Sequence, residues 1–171
     1  MGTEIERKFL VRGTPWRAGA AGVRYCQGYL NLSPARTVRV RTRGGRGFLT
    51  VKGPVHGGVR REYEYEIPVA DAREMLKELC EKPLIIKDRY TIGYKGFVWV
   101  VDQFHGENSG LVVAEIELEH QGQEVPLPDW VGGEVTGDHR YANASLVRHP
   151  YAQWKEVLMP GGQGQGGEHG G

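Results

Sequence analysis

The sequence predicts a mainly antiparallel β fold of the α+β class, an extended sheet or closed barrel with a few helices attached. Three observations carry this. Short segments alternate polar and apolar residues with a period of two, as strands do. Glycine-rich stretches such as Gly44-Gly45-Arg46-Gly47 and Gly93–Gly96 separate them as hairpin turns. Helical periodicity is rare by comparison.

The first strand is Glu4-Ile5-Glu6-Arg7-Lys8-Phe9, with Glu4, Glu6 and Lys8 on one face and Ile5 and Phe9 on the other. Gly13-Thr14-Pro15 turns the chain, and Trp16 to Gly22 has room for a short helix. Val23 to Leu32 is extended until Ser33-Pro34 breaks it. Val38 to Arg43 alternates cleanly, with Arg39, Arg41 and Arg43 on one face. After the glycine loop, Phe48 to Lys52 returns, and Gly53-Pro54 with Gly57-Gly58 marks the next connection. Arg61 to Ile67 places Glu62, Glu64 and Glu66 opposite Tyr63, Tyr65 and Ile67; the two tyrosines and Trp99 are expected in the outer core layer. Pro68 ends that strand.

Asp71 is the expected N-cap of a helix reaching Lys82, with Met75, Leu76, Leu79 and Cys80 as its apolar stripe. Leu84 to Ile92 is a strand carrying Lys87 and Arg89 on one face. Phe97 to Phe104 follows with Asp102, then Leu111 to Glu119 with Glu115, Glu117 and Glu119 in a row. A proline- and glycine-rich loop surrounds Trp130. Glu134 to Thr136 is a short last strand, Asn143 caps a helix through Val147, and Tyr151 to Leu158 is a final helix. Residues 160–171 contain only Pro, Gly, Gln, Glu and His, a composition that buries no core and predicts disorder. The expected organisation is one domain over 1–159 followed by that tail.

At 171 residues, 39% hydrophobic and 25% charged, the chain has the make-up of a globular domain. A formal net charge of +1 gives no electrostatic footprint for nucleic acid. Cys26 and Cys80 are too few for a disulfide framework or a cysteine metal site. The charged start predicts no signal peptide, and no apolar run reaches the ~20 residues that span a bilayer. A cytoplasmic location is the expectation.

The charge rows need an explanation. Like charges two residues apart on a strand stand about 7 Å from one another. Their repulsion is about 0.6 kcal/mol in open water and about 2.4 kcal/mol at an effective dielectric of 20. A solvated face tolerates this, whereas a cavity needs counter-ions. Sorting of the strands by sign, with acidic and basic strands both present while the net charge stays near zero, favours a cavity that holds cations against carboxylates and a polyanion against arginines. Carboxylates suit hard divalent cations, and Arg and Lys suit phosphate oxygens.

Glu4-x-Glu6-x-Lys8 resembles the signature of the CYTH superfamily, the triphosphate tunnel metalloenzymes. The resemblance continues in order through Gln27-Gly28-Tyr29-Leu30, Arg39-Val40-Arg41, Thr50-Val51-Lys52-Gly53, Glu62/Glu64, Lys87-x-Arg89, Asp102 and Glu115-Ile116-Glu117. The stretch from Val135-Thr136-Gly137-Asp138 to Arg140-Tyr141-x-Asn143 is similar to the ending of the small bacterial inorganic triphosphatases. The resemblance implies an eight-stranded closed barrel, a tunnel with helices packed outside, acting on triphosphates with Mg²⁺ or Mn²⁺, in two ions. It implies metal ligands at Glu4, Glu6, Glu115 and Glu117, with Glu62, Glu64 and Asp102 as further candidates. Phosphate contacts are implied for Lys8, Arg39, Arg41, Lys52, Lys87 and Arg89, and a lumen position for the Tyr29 hydroxyl. Glu6, Glu117, Lys8 and His139 are the catalytic candidates; His139 stands where the family often has a lysine beside the tunnel mouth. Glu66, Glu119 and Arg43 end their rows and stay candidates for plain surface.

The expected reaction is hydrolysis of inorganic triphosphate to pyrophosphate and phosphate. Alternatives are a hydrolase of thiamine triphosphate or nucleoside triphosphate, a class IV-type adenylate cyclase, a non-catalytic polyphosphate-binding module, and a β-sheet domain that binds a protein. The expected partner is a small anionic triphosphate, with no nucleic acid or membrane, and the expected state is a monomer or homodimer.

Overall fold

A computed structural model describes residues 2–19 and 21–155. Its strands are β1 (Gly2–Glu4), β2 (Glu6–Val11), β3 (Val23–Asn31), β4 (Thr37–Arg43), β5 (Arg46–His56), β6 (Val59–Ile67), β7 (Ile85–Tyr94), β8 (Phe97–Phe104), β9 (Val112–Glu117) and β10 (Val131–Glu134). All ladders are antiparallel, in the order β1-β6-β5-β4-β3-β7-β8-β9-β2-β10. The expected opening strand is therefore two strands, broken at Ile5. Glu4 pairs with Arg60 of β6, whereas Glu6 pairs with Glu117 of β9. Two halves of one extended segment thus sit against strands from opposite ends of the ladder. The ring of eight strand positions, with β1 and β2 sharing one, closes through the covalent chain at Ile5. Strand β10 adds to the outer edge of β2.

Alternation along each strand then sorts residues between lumen and outside. Outside, Phe9, Trp99, Val101, Ala114 and Ile116 form one core with Trp16 and Val131. A second outer core joins Val40 of β4 to Ala72, Leu76 and Cys80, beneath α1 (Val69–Glu78). That helix can lie this close because two strand positions have no side chain. A Cβ at Gly28 would stand 2.7 Å from the Cys80 Cβ, and one at Gly47 2.8 Å from the Ala72 Cβ. The third cluster is inside. Tyr29, Ile85, Phe104 and Val113, on the lumen side of β3, β7, β8 and β9, pack with Tyr141, Leu146 and Val147 around α2 (Asn143–Arg148). The expectation of helices outside holds for α1 but not for α2, which fills one end of the lumen with apolar side chains.

Several boundaries differ from the sequence reading. α1 begins at Val69 with Pro68 in the cap position and Asp71 in its first turn, and it stops at Glu78. Gly53-Pro54 is no connection: β5 runs through it to His56, with an irregular register between Lys52 and Val55 that absorbs the proline. The β7–β8 turn falls on Lys95-Gly96, both at positive φ (46° and 82°), the geometry of a tight two-residue hairpin. A single 3₁₀ turn, Pro15–Arg17, stands where a short helix was expected. The last strand is Val131–Glu134 rather than Glu134–Thr136. Asn143 is the first residue of α2, with Ala142 as N-cap. Trp99 is buried as expected, but Tyr65 is 59% exposed. Tyr151–Gln153 forms a 3₁₀ turn; the end of the expected last helix and the tail at 160–171 lie outside the described residues. Among the described residues no helix is long and apolar enough to cross a membrane.

Candidate functional site

The lumen contains a cavity of about 700 Å³. Its wall includes Glu4, Glu6, Lys8, Tyr29, Arg39, Arg41, Lys52, Glu62, Glu64, Lys87, Arg89, Glu115, Glu117 and His139. Every candidate site residue except Asp102 lines this one space. The registers explain why. Lys8 lies opposite Glu115, Glu6 opposite Glu117, Lys52 opposite Glu62, and Tyr29 opposite Arg39. Strand alternation turns all of them inward.

Asp102 is set apart from the other candidates. It is 1% exposed and both its oxygens are committed. The Arg89 Nε and Nη2 donate to Oδ1 at 2.7 Å and Oδ2 at 2.8 Å, and the Lys87 Nζ stands 2.9 Å from Oδ2. Burial alone would raise this carboxyl's pKa, but Lys87 and Arg89 outweigh it and hold it far below the usual range. Both Asp102 oxygens are turned onto Lys87 and Arg89, so it anchors two cations. Lys87 is 2% exposed, and burial pushes its ammonium down to about 8 although Asp102 works in the other direction.

The remaining carboxylates are differently placed. Burial, then Glu115 and Glu4, push the Glu6 carboxyl up to about 9. Glu117 is raised by burial and by Glu4 and Glu62. Glu115 moves down because Lys8, 3.5 Å away, and Arg89 outweigh its burial. The Lys8 ammonium in turn is raised, since Glu115 and Glu6 exceed the cost of burying it. Lys52 lies 3.1 Å from Glu4 and 3.8 Å from Glu62. The Arg41 Nη2 donates to Glu64 at 3.0 Å, and Glu64 also accepts from the Thr50 hydroxyl at 3.0 Å. The Glu64 carboxyl is lowered because Arg41 and Thr50 overcome its burial.

The donor set fits hard divalent cations. It is all carboxylate, and Glu6 carries repulsion from Glu4 and Glu115 that a cation between them would relieve. Among the described residues no three His, Cys, Asp or Glu side chains are drawn together as a ready cage. Glu4, Glu62, Glu64 and Glu115 are turned onto Lys and Arg instead. The basic side fits a polyanion. The Arg39 and Arg41 guanidiniums are buried, and the Nε of each has no hydrogen-bond partner. Burial, and then Arg39, bring Arg41 down to about 10, so an anion between the two is favoured.

Residues to which the sequence reading gives no role support this wall. Tyr25 presents its ring to Arg41 and Arg89 at 5.2 and 4.8 Å. The Thr50 hydroxyl links Arg39 to Glu64. The Arg60 Nη2 donates to Thr37 at 2.6 Å at the cavity edge. None of these carries a sign in the charge rows, apart from Arg60, which sits just before the expected strand. Outside the lumen, Glu66 pairs with Arg46 at 2.6 Å on the surface.

The profile of the CYTH domain family matches residues 2–151. A protein of Acetivibrio thermocellus named an inorganic triphosphatase is 53% identical over 156 residues, which cover 91% of this chain and all of that protein. The crystal structure of another inorganic triphosphatase superposes with a TM-score of 0.64 at 36% identity, over 86% of this chain and 95% of that one. A conserved hypothetical protein of Pyrococcus furiosus shares the fold, with a TM-score of 0.53 at 20% identity over 70% of this chain and 80% of its own.

Proposed function

This chain belongs to the CYTH family, and from that premise we propose that it hydrolyses inorganic triphosphate to pyrophosphate and phosphate inside the lumen. The observation that carries this reading is the lumen itself. One cavity is lined by carboxylates and cations together, and by two buried guanidiniums with uncommitted donors. A triphosphate chain is the small ligand that uses both sets.

Lys8, Arg39, Arg41, Lys52, Lys87 and Arg89 bind the phosphate oxygens. The arginines give paired donors and the lysines point charges. Asp102 and Tyr25 fix the direction of Lys87, Arg89 and Arg41, so little reorganisation accompanies binding. Glu4, Glu6, Glu62, Glu64, Glu115 and Glu117 are the residues that would hold the divalent ions, Mg²⁺ or Mn²⁺, two in number. When bound, such ions neutralise phosphate charge and acidify a coordinated water. Glu117 lies toward the open part of the cavity, where it accepts the proton of the water that attacks the terminal phosphorus. His139, exposed at the rim, orients that water. Lys8, held beside Glu115, balances negative charge gathering on the departing pyrophosphate. We further propose that the domain extends over 1–159, that the protein acts in the cytoplasm as a monomer or homodimer, and that neither nucleic acid nor membrane is its partner.

Phosphate release from tripolyphosphate, ATP and thiamine triphosphate, each with Mg²⁺, with Mn²⁺ and with excess chelator, tests the reading. Turnover of tripolyphosphate well above both organic substrates, and only with metal, is expected. Turnover undiminished in chelator, or a preference for an organic triphosphate, overturns it.

A further inference from the structure

The closed end of the lumen contains a side chain that the phosphate-binding set above does not use. Asn143 opens α2 and lines the cavity where the polar lumen meets the apolar plug. Two donors converge on its Oδ1: the Lys87 Nζ at 3.0 Å and the Gln27 Nε2 at 3.3 Å. Gln27 is fully buried, and its Nε2 also donates to the Tyr29 hydroxyl at 3.2 Å. These contacts settle which way the Asn143 amide points. The opposite orientation would set its NH₂ against the Lys87 ammonium, which has no acceptor to offer. Its oxygen therefore faces Lys87 and Gln27, and its nitrogen points away from them. Among the described residues that nitrogen has no hydrogen-bond acceptor.

Next to it, the Lys8 Nζ donates to the Tyr141 carbonyl at 3.3 Å, which ties a second ammonium to the same plug. The floor thus combines two point charges with one oriented neutral donor. Ammonium groups attract phosphate without fixing its direction, whereas an amide N–H held by two partners does fix it. An apolar cluster lies beyond this floor, so the chain of phosphates ends here.

We propose that Asn143 is a substrate-binding residue whose amide nitrogen donates to the terminal phosphate at the closed end of the lumen, and that Gln27 is the positioning residue that orients this amide. The proposal rests on the triphosphate reading for the identity of its ligand. It makes the floor a reader of a free phosphate terminus.

The test is steady-state kinetics on tripolyphosphate at saturating Mg²⁺ for wild type, Asn143→Ala, Asn143→Asp and Gln27→Met, with thermal melts of each. Asn143→Ala removes the donor. Asn143→Asp keeps, and strengthens, the acceptor for Lys87 while removing the donor. Both are expected to raise KM about tenfold while kcat stays within about threefold, the pattern of a lost ground-state contact. Gln27→Met is expected to raise KM by a smaller factor. If Asn143 acted only by holding Lys87 in place, Asn143→Ala would leave the KM of a Lys87→Met background unchanged, and that result overturns the proposal. So does a wild-type KM in Asn143→Ala. Should wild type fail to hydrolyse tripolyphosphate, the functional reading falls by itself. Calorimetric titration with tripolyphosphate in Mg²⁺ then reads the floor without turnover, and weaker binding to Asn143→Ala supports the donor role. Equal binding by wild type and Asn143→Ala, or none by wild type, overturns it.

Discussion

Asp102 and Glu6 are both carboxylates of the barrel interior, and they are driven in opposite directions. Asp102 is gripped by Lys87 and Arg89 through both oxygens, and its carboxyl lies far below the ordinary range. Glu6, half-buried, faces Glu4 and Glu115, and desolvation with these neighbours pushes its carboxyl up to about 9. Burial opposes ionisation at both sites, so the neighbours make the difference. The Asp102 cluster is electrostatically complete and serves as framework. The Glu4, Glu6 and Glu117 group has a surplus of negative charge and so has capacity left for cations. A charged residue in a tunnel is thus a ligand candidate when its partners leave it unsatisfied, not merely because it is charged.

The largest effect is expected where the complete cluster is broken. Asp102→Ala strands Lys87 and Arg89 in a buried setting, and denaturant unfolding should show a loss of about 3–5 kcal/mol. A loss within the ±0.5 kcal/mol of an ordinary surface substitution would remove the distinction between the two carboxylates.

The second contrast is kinetic. Glu117→Gln keeps the shape of the site but removes a charge from the unsatisfied group, and kcat should fall about 100-fold at saturating metal. Arg39→Ala removes a contact made to phosphates already present in the ground state, so its main effect should be a rise in KM. Wild-type kinetics in Glu117→Gln would return the glutamate rows to ordinary strand surface.

The smallest effect is on stability against pH. The folded protein keeps a proton on Glu6 up to about pH 9, whereas the unfolded chain releases it near 4.5. Between these values the native state binds more protons, so this contribution to stability is complete below about pH 4.5 and is lost as pH rises through about 9. Asp102 acts in the reverse sense: its contribution is present above the ordinary Asp range and is lost in acid. In chelator, Glu6→Gln should therefore flatten the fall in melting temperature on the alkaline side. It should also raise that temperature by about 3 °C for each kcal/mol of repulsion relieved. An unchanged pH profile would show that Glu6 is not under strain.

Much of this was legible in the sequence because strand alternation writes the lumen directly into odd and even positions. Arg39 and Arg41, Glu62 and Glu64, and Glu115 and Glu117 were read as rows and line one cavity. The break at Ile5 was not legible, since alternation continues across it and only the pairing of Glu4 with Arg60 and of Glu6 with Glu117 reveals two strands. Asp102 is a further ligand candidate through the resemblance alone; a lone acid in the run Phe97–Phe104 does not show that it meets Lys87 and Arg89. Gln27, Thr50 and Asn143 are neutral and fell outside any charge pattern; their roles come from hydrogen bonds between strands distant in sequence. The plug by α2 was missed because its apolar residues, Leu146 and Val147, look like those of any helix packed on a sheet.

Binding of Mn²⁺ by calorimetry to wild type, Glu6→Gln, Glu117→Gln and Asp102→Asn, each shown to be folded, tests the distinction between complete and incomplete carboxylates most directly. The account predicts affinity lowered about tenfold or more by Glu6→Gln and Glu117→Gln and nearly unchanged by Asp102→Asn. Loss of Mn²⁺ binding in Asp102→Asn, with wild-type affinity in the two glutamine variants, would contradict it.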